Sequence, residues 1–374
     1  MRIRNARIVT LDEDFTGSLC CEDGRIAGVD RGAAMAGEDW NGDWLLPGLI
    51  ELHTDNLEKH MTPRPGVQWP ALPAVLAHDA QLVAGGITTV LDALALGDVK
   101  PGGTRAQNLQ SMLDAINVAR SSGLLRADHR LHLRCELSTA GIMDLFTRLA
   151  ADPALALVSL MDHTPGQRQF TDETKYREYY QGKYGLSNAQ MDSFTESQKE
   201  NHHLHSARNR REVVTHCRQA GIALASHDDA TTEHVSEAIA DGVVLSEFPT
   251  TLSAARAARA HGLSVLMGAP NVVRGGSHSG NISALELARE DKIDVLSSDY
   301  VPASLLHGAF LLNKHAGWSM AKAVASVSAN PARLAGLDDR GEIAGGKRVD
   351  FVRVRTSGDI PAVISAWREG QRIL

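Results

Sequence analysis

LLPGLIELHTD, residues 45–55, is the stretch on which the reading of the whole chain turns. Leu45–Leu52 is an apolar run with strand character, and it runs out on His53 and Asp55. Residues two apart in a strand point to the same side, so the imidazole and the carboxylate share a face. Together they make half of a divalent-metal site. A polar pair at one strand end more often means nothing, so the rest of the chain has to carry the argument.

Strand-like apolar runs recur at Thr88–Leu91, Leu131–Leu137, Leu155–Met161, Ile222–Ala225, Val243–Phe248, Ser264–Met267 and Ile293–Leu296. Amphipathic helical stretches lie between them. Leu72, Val75, Leu76, Leu82 and Val83 form one stripe; Leu109, Met112, Leu113, Ile116 and Ala119 form another. Gly85-Gly86, Gly221, Gly242 and Gly262 stand where helices should end. Eight strands alternating with helices over roughly 290 residues predict a TIM-type (β/α)8 barrel, with a doubly wound sheet as the alternative.

Both ends of the chain read differently. Ile3–Val9, Ser18–Cys21 and Arg25–Val29 are strands, with Asp23-Gly24 as a hairpin turn. Asp350–Val354 and Ala362–Trp367 are strands near the other end, with Glu369-Gly370 as a turn. Neither end can bury a core alone, which predicts a small β-sandwich domain built from 1–45 and 338–374 around a barrel of 46–337. The class expected is therefore α/β. One segment, from Thr164 to about Arg211, is too long for an ordinary βα loop and is polar, aromatic and charged. It reads as a helical insertion, either a lid over the C-terminal mouth or a solvated hairpin. Its basic residues, among them Lys175, Arg177, Lys183, Arg208, Arg210 and Arg211, either close over a polyphosphate or are solvated helix charge.

Composition narrows the function. The chain has 374 residues and a formal net charge of -7, which argues against nucleic acid as a partner. No apolar run is long enough to span a membrane, and the first residues do not form a signal peptide. Four cysteines without CxxC spacing argue against a disulfide scaffold, so the cytoplasm is the natural compartment. Adjacent Cys20 and Cys21 read as packing residues of a strand.

Acidic or imidazole side chains recur where the barrel strands end: Asp92, Glu136, Asp162 with His163, His227 with Asp228 and Asp229, Glu247, and Asp299; Asn271 follows strand seven. Barrel enzymes assemble their sites from strand C-termini. So many carboxylates gathered together need an opposing cation, and a bound metal supplies it most simply. The histidines at 202, 203 and 205 read instead as a solvated helix face. Basic residues follow the same strand ends: Lys59, His60 and Arg64 after the first, Arg168 with Gln167 after the fourth, and Arg274-Gly275-Gly276-Ser277-His278 after the seventh. A glycine pair flanked by Arg, Ser and His suits an anion.

LLPGLIELHTD resembles the strand-one metal motif of the amidohydrolase superfamily, with Asp55 in place of the usual second histidine. SANPARLAGLDDRGEIAGGKRVDFV (328–352) is similar to that superfamily's closing segment. ELHTDNLEKHMTPRPGVQW (51–69), SLMDHTPGQRQF (159–170), ASHDDAT (225–231), SEFPTT (246–251), GAPNVVRGGSHSGN (268–281) and SSDYVPASLL (297–306) resemble the phosphonate-metabolism branch known as PhnM, nearly end to end. The resemblance implies a diphosphatase of the carbon–phosphorus lyase pathway that splits α-D-ribose 1-methylphosphonate 5-triphosphate into the 5-phosphate and pyrophosphate. It implies one or two divalent ions (Zn, Mn, Fe or Co) and the ligands His53, Asp55, Glu136, His227 and Asp299. His163 would replace the strand-six histidine, where this chain has Glu247. Asp299 is the expected proton acceptor. Lys59, His60, Arg64, Arg168, Glu247, Asn271, Arg274, Ser277 and His278 are the expected contacts to a small phosphorylated sugar. Homo-oligomerisation is left open. Two rivals stand beside this reading: an amidohydrolase acting on C–N bonds, such as a deacetylase or cyclic amidase, and a noncatalytic barrel used in assembly.

Overall fold

A computed structural model describes residues 1–32, 36–97, 105–170, 172–277 and 280–374. In chain order its strands are β1 (Arg2–Val9), β2 (Asp14–Glu22), β3 (Arg25–Arg31), β4 (Glu38–Asp39), β5 (Trp44–Pro47), β6 (Leu49–Thr54), β7 (Ile87–Leu96) and β8 (Asp128–Glu136). Then follow β9 (Leu155–Met161), β10 (Ala223–His227), β11 (Leu245–Glu247), β12 (Ser264–Gly268), β13 (Val295–Ser297), β14 (Phe351–Ser357), β15 (Ile360–Arg368) and β16 (Gln371–Arg372).

β6 to β13 form one eight-stranded sheet in strict sequence order. The pairings β6–β7, β8–β9, β9–β10, β10–β11 and β11–β12 are parallel. A parallel bridge from Thr54 to Asp299 then joins the end of the first strand to the end of the last, which an open doubly wound sheet would not do. This is the (β/α)8 fold. Every residue of β6 and β7 is buried, as expected of parallel strands covered on both faces.

The apolar run expected as one strand at Leu45–Leu52 is two. β5 pairs antiparallel with β14 and parallel with β1, whereas β6 opens the barrel. Gly48 is the switch between them. A Cβ there would lie 2.2 Å from Thr88 Oγ1, so only glycine lets the chain pass.

Contacts divide the chain into two units. The first comprises Met1–Asp92, Met112–Arg130 and Met267–Leu374. Here strands from both termini form one sheet in the order β16-β15-β14-β5-β1-β2-β3, with β4 on β1. The Asp23-Gly24 hairpin has both residues at positive φ, as a tight two-residue turn requires. Ile3, Ile8, Leu19 and Ile26 pack with Trp40, Phe351 and Trp367, so the core needs both ends of the chain. Cys21 is buried in β2 and Cys20 partly so; both are free thiols, consistent with packing residues.

The second unit comprises Ala93–Ser111 and Leu131–Leu266. Its insertion holds helices Glu173–Tyr184, Asn188–Asn201 and Ala207–Ala220, the last two joined through a π-helical turn at His202–Ser206. Asp172 caps the first helix, and Ser187 with Gln190 forms a capping box on the second. The segment has an aromatic core of its own: Tyr176 and Tyr180 are buried with Phe170 and Met191, and Tyr184, Leu186 and Phe194 pack against them. Its cations are largely paired: Arg177 with Asp192, Arg208 with Glu212, and Arg210 with Glu237 and Asp241.

Candidate metal centre

In the first unit, β6 and the end of β13 are laced together around a buried carboxylate. Glu51 accepts from the backbone N–H of His53 at 2.7 Å and of Ser298 at 2.5 Å. Burial pushes its pKa up to about 8, against the pull of those two donors. Thr54 Oγ1 donates to the Asp299 carbonyl at 2.7 Å, and Asp299 N donates to the His53 carbonyl at 3.1 Å. These bonds set His53, 1% exposed, and half-buried Asp299 on neighbouring strand ends. Strand alternation does not place Asp55, contrary to expectation. β6 stops at Thr54, and Asp55 is the N-cap residue of the helix Asn56–Met61. Its backbone is held instead by a 3.3 Å bond to the Asp299 carbonyl.

The second unit gathers a cluster of its own. Glu136, at the end of β8, accepts from His163 N at 3.0 Å and from His163 Nδ1 at 2.5 Å. Burial favours neutral forms of both, yet each holds the other charged: the histidine pKa is raised and the carboxyl pKa lowered. With Nδ1 committed to Glu136, His163 turns Nε2 towards Asp228, 3.8 Å away. His227 Nε2 lies 3.4 Å from the same Asp228 oxygen. His163, His227 and Asp228 thus present three ligand atoms within 4.8 Å of one another, the spacing a single cation needs. Glu247, fully buried, accepts from Ser159 Oγ at 2.5 Å and lies 3.4 Å from His227 Nδ1. Its burial among protein groups suits a support to histidine better than the substrate contact expected of it.

Strain marks the same strand ends. Asp228, Phe248 and Asp299 have φ of 56°, 53° and 52°, each one or two residues past β10, β11 and β13. Left-handed non-glycine residues cost free energy, and they concentrate at functional sites.

Several expected residues sit elsewhere or are otherwise engaged. Asp92 does not end its strand: β7 runs on to Leu96, and Asp92 is buried between His78 and His129. Arg168 is 4% exposed, with its guanidinium bonded to Asp229 and, at 2.9 Å, to Glu237. Asn271 braces the following loop, accepting from Ala284 N at 3.0 Å. The glycine pair is not an anion cradle. Gly275 is the left-handed C-cap of the helix Ala269–Arg274, and the N–H groups of Gly275 and Gly276 both bond helix carbonyls. Ser277 is half-buried beyond it, and His278 lies outside the described residues. Lys59 donates to the Tyr300 carbonyl and lies over its ring, and His60 Nε2 bonds Gln81 at 2.9 Å. Arg64 and Arg274 are exposed. His202 is not the solvated face expected; its Nδ1 bonds Asp162 at 2.7 Å.

Sequence reading passed over Glu51 and also His132, a buried residue of β8 whose Nε2 lies 2.5 Å from Ser159 Oγ and 4.0 Å from Glu247, and it did not single out Asp228 as a candidate ligand. The first two sit an even number of residues before His53 and Glu136, a period that could have flagged them.

The amidohydrolase family model matches residues 44–372. Alpha-D-ribose 1-methylphosphonate 5-triphosphate diphosphatase of Escherichia coli (strain K12) is 50% identical over 377 residues, covering 100% of both chains. The chain belongs to the amidohydrolase family, in its PhnM branch. A dihydroorotase of Methanopyrus kandleri is 34% identical over 100 residues, 22% of this chain and 23% of its own. Among solved structures, 5-methylcytosine deaminase from Klebsiella pneumoniae superposes with a TM-score of 0.66 at 16% identity, over 100% of this chain and 97% of that one. N-acetylglucosamine-6-phosphate deacetylase from Thermotoga maritima does so with 0.60 at 15% identity, over 100% and 99%. At such identities the amidohydrolase fold alone is shared. Among the described residues, no helix is long and apolar enough to cross a membrane.

Proposed function

We propose that this amidohydrolase hydrolyses α-D-ribose 1-methylphosphonate 5-triphosphate to the corresponding 5-phosphate and pyrophosphate, in the cytoplasm. The observation that carries the reading is the 50% identity, over the whole length of both chains, to the Escherichia coli enzyme of that name. The ligands proposed are His53, Asp55 and Asp299 in one unit, and Glu136, His163 and His227, with Asp228 added, in the other. The donor set fits a divalent ion: imidazole nitrogens and carboxylate oxygens suit Zn, Mn, Fe or Co, and His163 has its second nitrogen engaged by Glu136 in the manner of ligating histidines. Such an ion, when bound, polarises phosphoryl oxygens and acidifies water, whose pKa falls from about 16 towards 7 in the best zinc cases.

The chain's own groups do the rest. Asp299 takes the proton of the attacking water on a carboxylate oxygen. The strand-end lacing that holds the Asp299 backbone to His53 and Thr54 keeps that carboxylate in place. Lys59, Arg64 and Arg274 neutralise the triphosphate, whose charge spreads over the equatorial oxygens as the leaving pyrophosphate departs. Arg168, already paired with two carboxylates, supports the strand ends and leaves the phosphates to those exposed cations.

Incubation of the metal-loaded protein with the ribose triphosphate, followed by phosphorus NMR, tests this. Pyrophosphate and the 5-phosphate should appear in equal amounts. Release of orthophosphate alone, or turnover of cyclic amides and N-acetyl sugars with none of the triphosphate, would sink the assignment.

A further inference from the structure

Behind the first turn that follows β6 lies a chain of buried polar side chains that the proposed reaction does not use. His78 and Asp79 are on the helix Ala71–Ala84, Asp92 is on β7, and His129 is on β8. All four are at most 1–2% exposed. His129 Nδ1 lies 2.8 Å from Asp92 Oδ2, and its Nε2 lies 3.3 Å from Asp79 Oδ1. Carboxylates accept only, so both ring nitrogens must carry protons, and His129 is an imidazolium between two anions. Asp79 also accepts from Arg126 N, Ala127 N and the Arg126 guanidinium at 2.9–3.1 Å. Burial alone would push the His129 pKa down, but Asp92 and Asp79 hold it up at about 9.

The other arm of Asp92 leads towards the candidate centre. His78 Nε2 donates to Asp92 Oδ1 at 2.9 Å, which leaves His78 Nδ1 as an acceptor. That nitrogen receives Asn56 Nδ2 at 3.0 Å. The same amide nitrogen donates to Gln81 Oε1 at 2.9 Å, and Gln81 Oε1 also receives His60 Nε2 at 2.9 Å. Asn56 directly follows Asp55, and both Asn56 and His60 lie on the helix Asn56–Met61. Each proton in the series is fixed by its neighbour, starting from the charged His129. The ligand atoms of His78, Asp92 and His129 are also close enough for a metal, but each imidazole–carboxylate contact is at proton-sharing distance and the second His129 nitrogen faces another carboxylate.

We propose that His129, Asp92 and His78 are positioning residues that fix the Asn56 amide, and through it the turn carrying Asp55 and His60. The inference rests on reading Asp55 as a ligand and His60 as a phosphate contact, and the two can fail separately.

The test uses full-length protein carrying nitrogen-15 histidine, with signals assigned from single His→Gln variants. At pH 7.5, His129 should be doubly protonated and His78 neutral with its proton on Nε2. In Asn56→Ala the His78 Nδ1 signal should move as its donor is lost, while His129 stays charged. Loaded with metal, this variant should bind the ion about tenfold more weakly in a chelator competition and lose about tenfold in turnover, the usual scale for an outer support. Gln81→Met, at an exposed helix position, threatens the fold less and should show a smaller loss of the same kind. Wild-type metal affinity and turnover in both variants would overturn the proposal. So would a His129 that titrates as an ordinary imidazole near pH 6.5, or one that lacks its Nδ1 proton. If the parent protein neither binds metal nor releases pyrophosphate, the functional reading has failed, and the histidine signals alone decide on the relay.

Discussion

His53 and Asp55 share a strand-end motif but are held differently, one inside β6 and the other at the cap of the next helix. Either one changed to Ala should lower bound metal and abolish turnover while the barrel stays folded. Elemental analysis with circular dichroism reads both, and full occupancy with activity in the two variants would remove the pair from the site. Asp299→Asn should cost kcat much more than it weakens substrate binding, because it would delete the proposed proton acceptor and keep the shape. Equal, modest losses in kcat and kcat/KM would recast Asp299 as a support. Arg64 and Arg274 are both exposed, so their guanidiniums are open to solvent and to an anion. Loss of either should remove a charge-assisted bond of about 1.5–3 kcal/mol, a ten- to hundredfold drop in kcat/KM. The drop should be larger for tri- than for monophosphate esters; parental activity on every chain length would make both residues plain surface charge.

At the scale of elements, one glycine separates two sheets. Gly48 packs so closely on the short, β-branched Thr88 side chain that a methyl group has no room, and it joins β5 directly to β6. Gly48→Ala should therefore destabilise the protein by about 1–3 kcal/mol, the usual cost of overpacking. Gly276→Ala has no atom within 4 Å to meet and should be nearly neutral there, which makes it the control in a denaturant titration. Similar midpoints for the two variants would mean that the β5–β6 junction yields easily. In the insertion, Tyr176 and Tyr180 turn inwards because the two capped helices pack with an apolar seam of their own.

For the whole molecule, the buried His129 gives stability a pH dependence of predictable sign. Its folded pKa, about 9, is above its ordinary value of 6.5. The stabilisation is then fully present below pH 6.5 and is lost as pH rises through about 9. Asp92 is shifted the other way, held well below the usual carboxylate range against burial by His129 and His78. Its contribution is present above its ordinary value of 3.8 and is lost as pH falls below it. The His129 and Asp92 contributions are thus both fully present between about pH 4 and 6.5, whereas His78, whose pKa burial lowers, costs stability as pH falls below its ordinary value of 6.5. Denaturant midpoints of the parent and His129→Gln, compared from pH 6 to 9.5, should converge on the alkaline side; a constant gap would show that His129 is neutral.

Periodicity and composition alone determined the alternation of strands and helices, the β-rich ends, the Asp23-Gly24 and Glu369-Gly370 turns, and the strand-end positions of His53, Glu136, His163, His227 and Asp299. Those are local properties: a side-chain period, a turn that needs positive φ, a polar residue where an apolar run stops. Only the tertiary structure decided what each polar group faces. It divided Leu45–Leu52 between two sheets, spent the Gly275-Gly276 amides on a helix end, and paired Arg168 with Asp229. It also buried Asp92 between two histidines from distant segments. Apart from the helix end at Gly275-Gly276, which is local, each of these depends on a partner far away in sequence, and one-dimensional spacing carries no information about which charge will be brought to which.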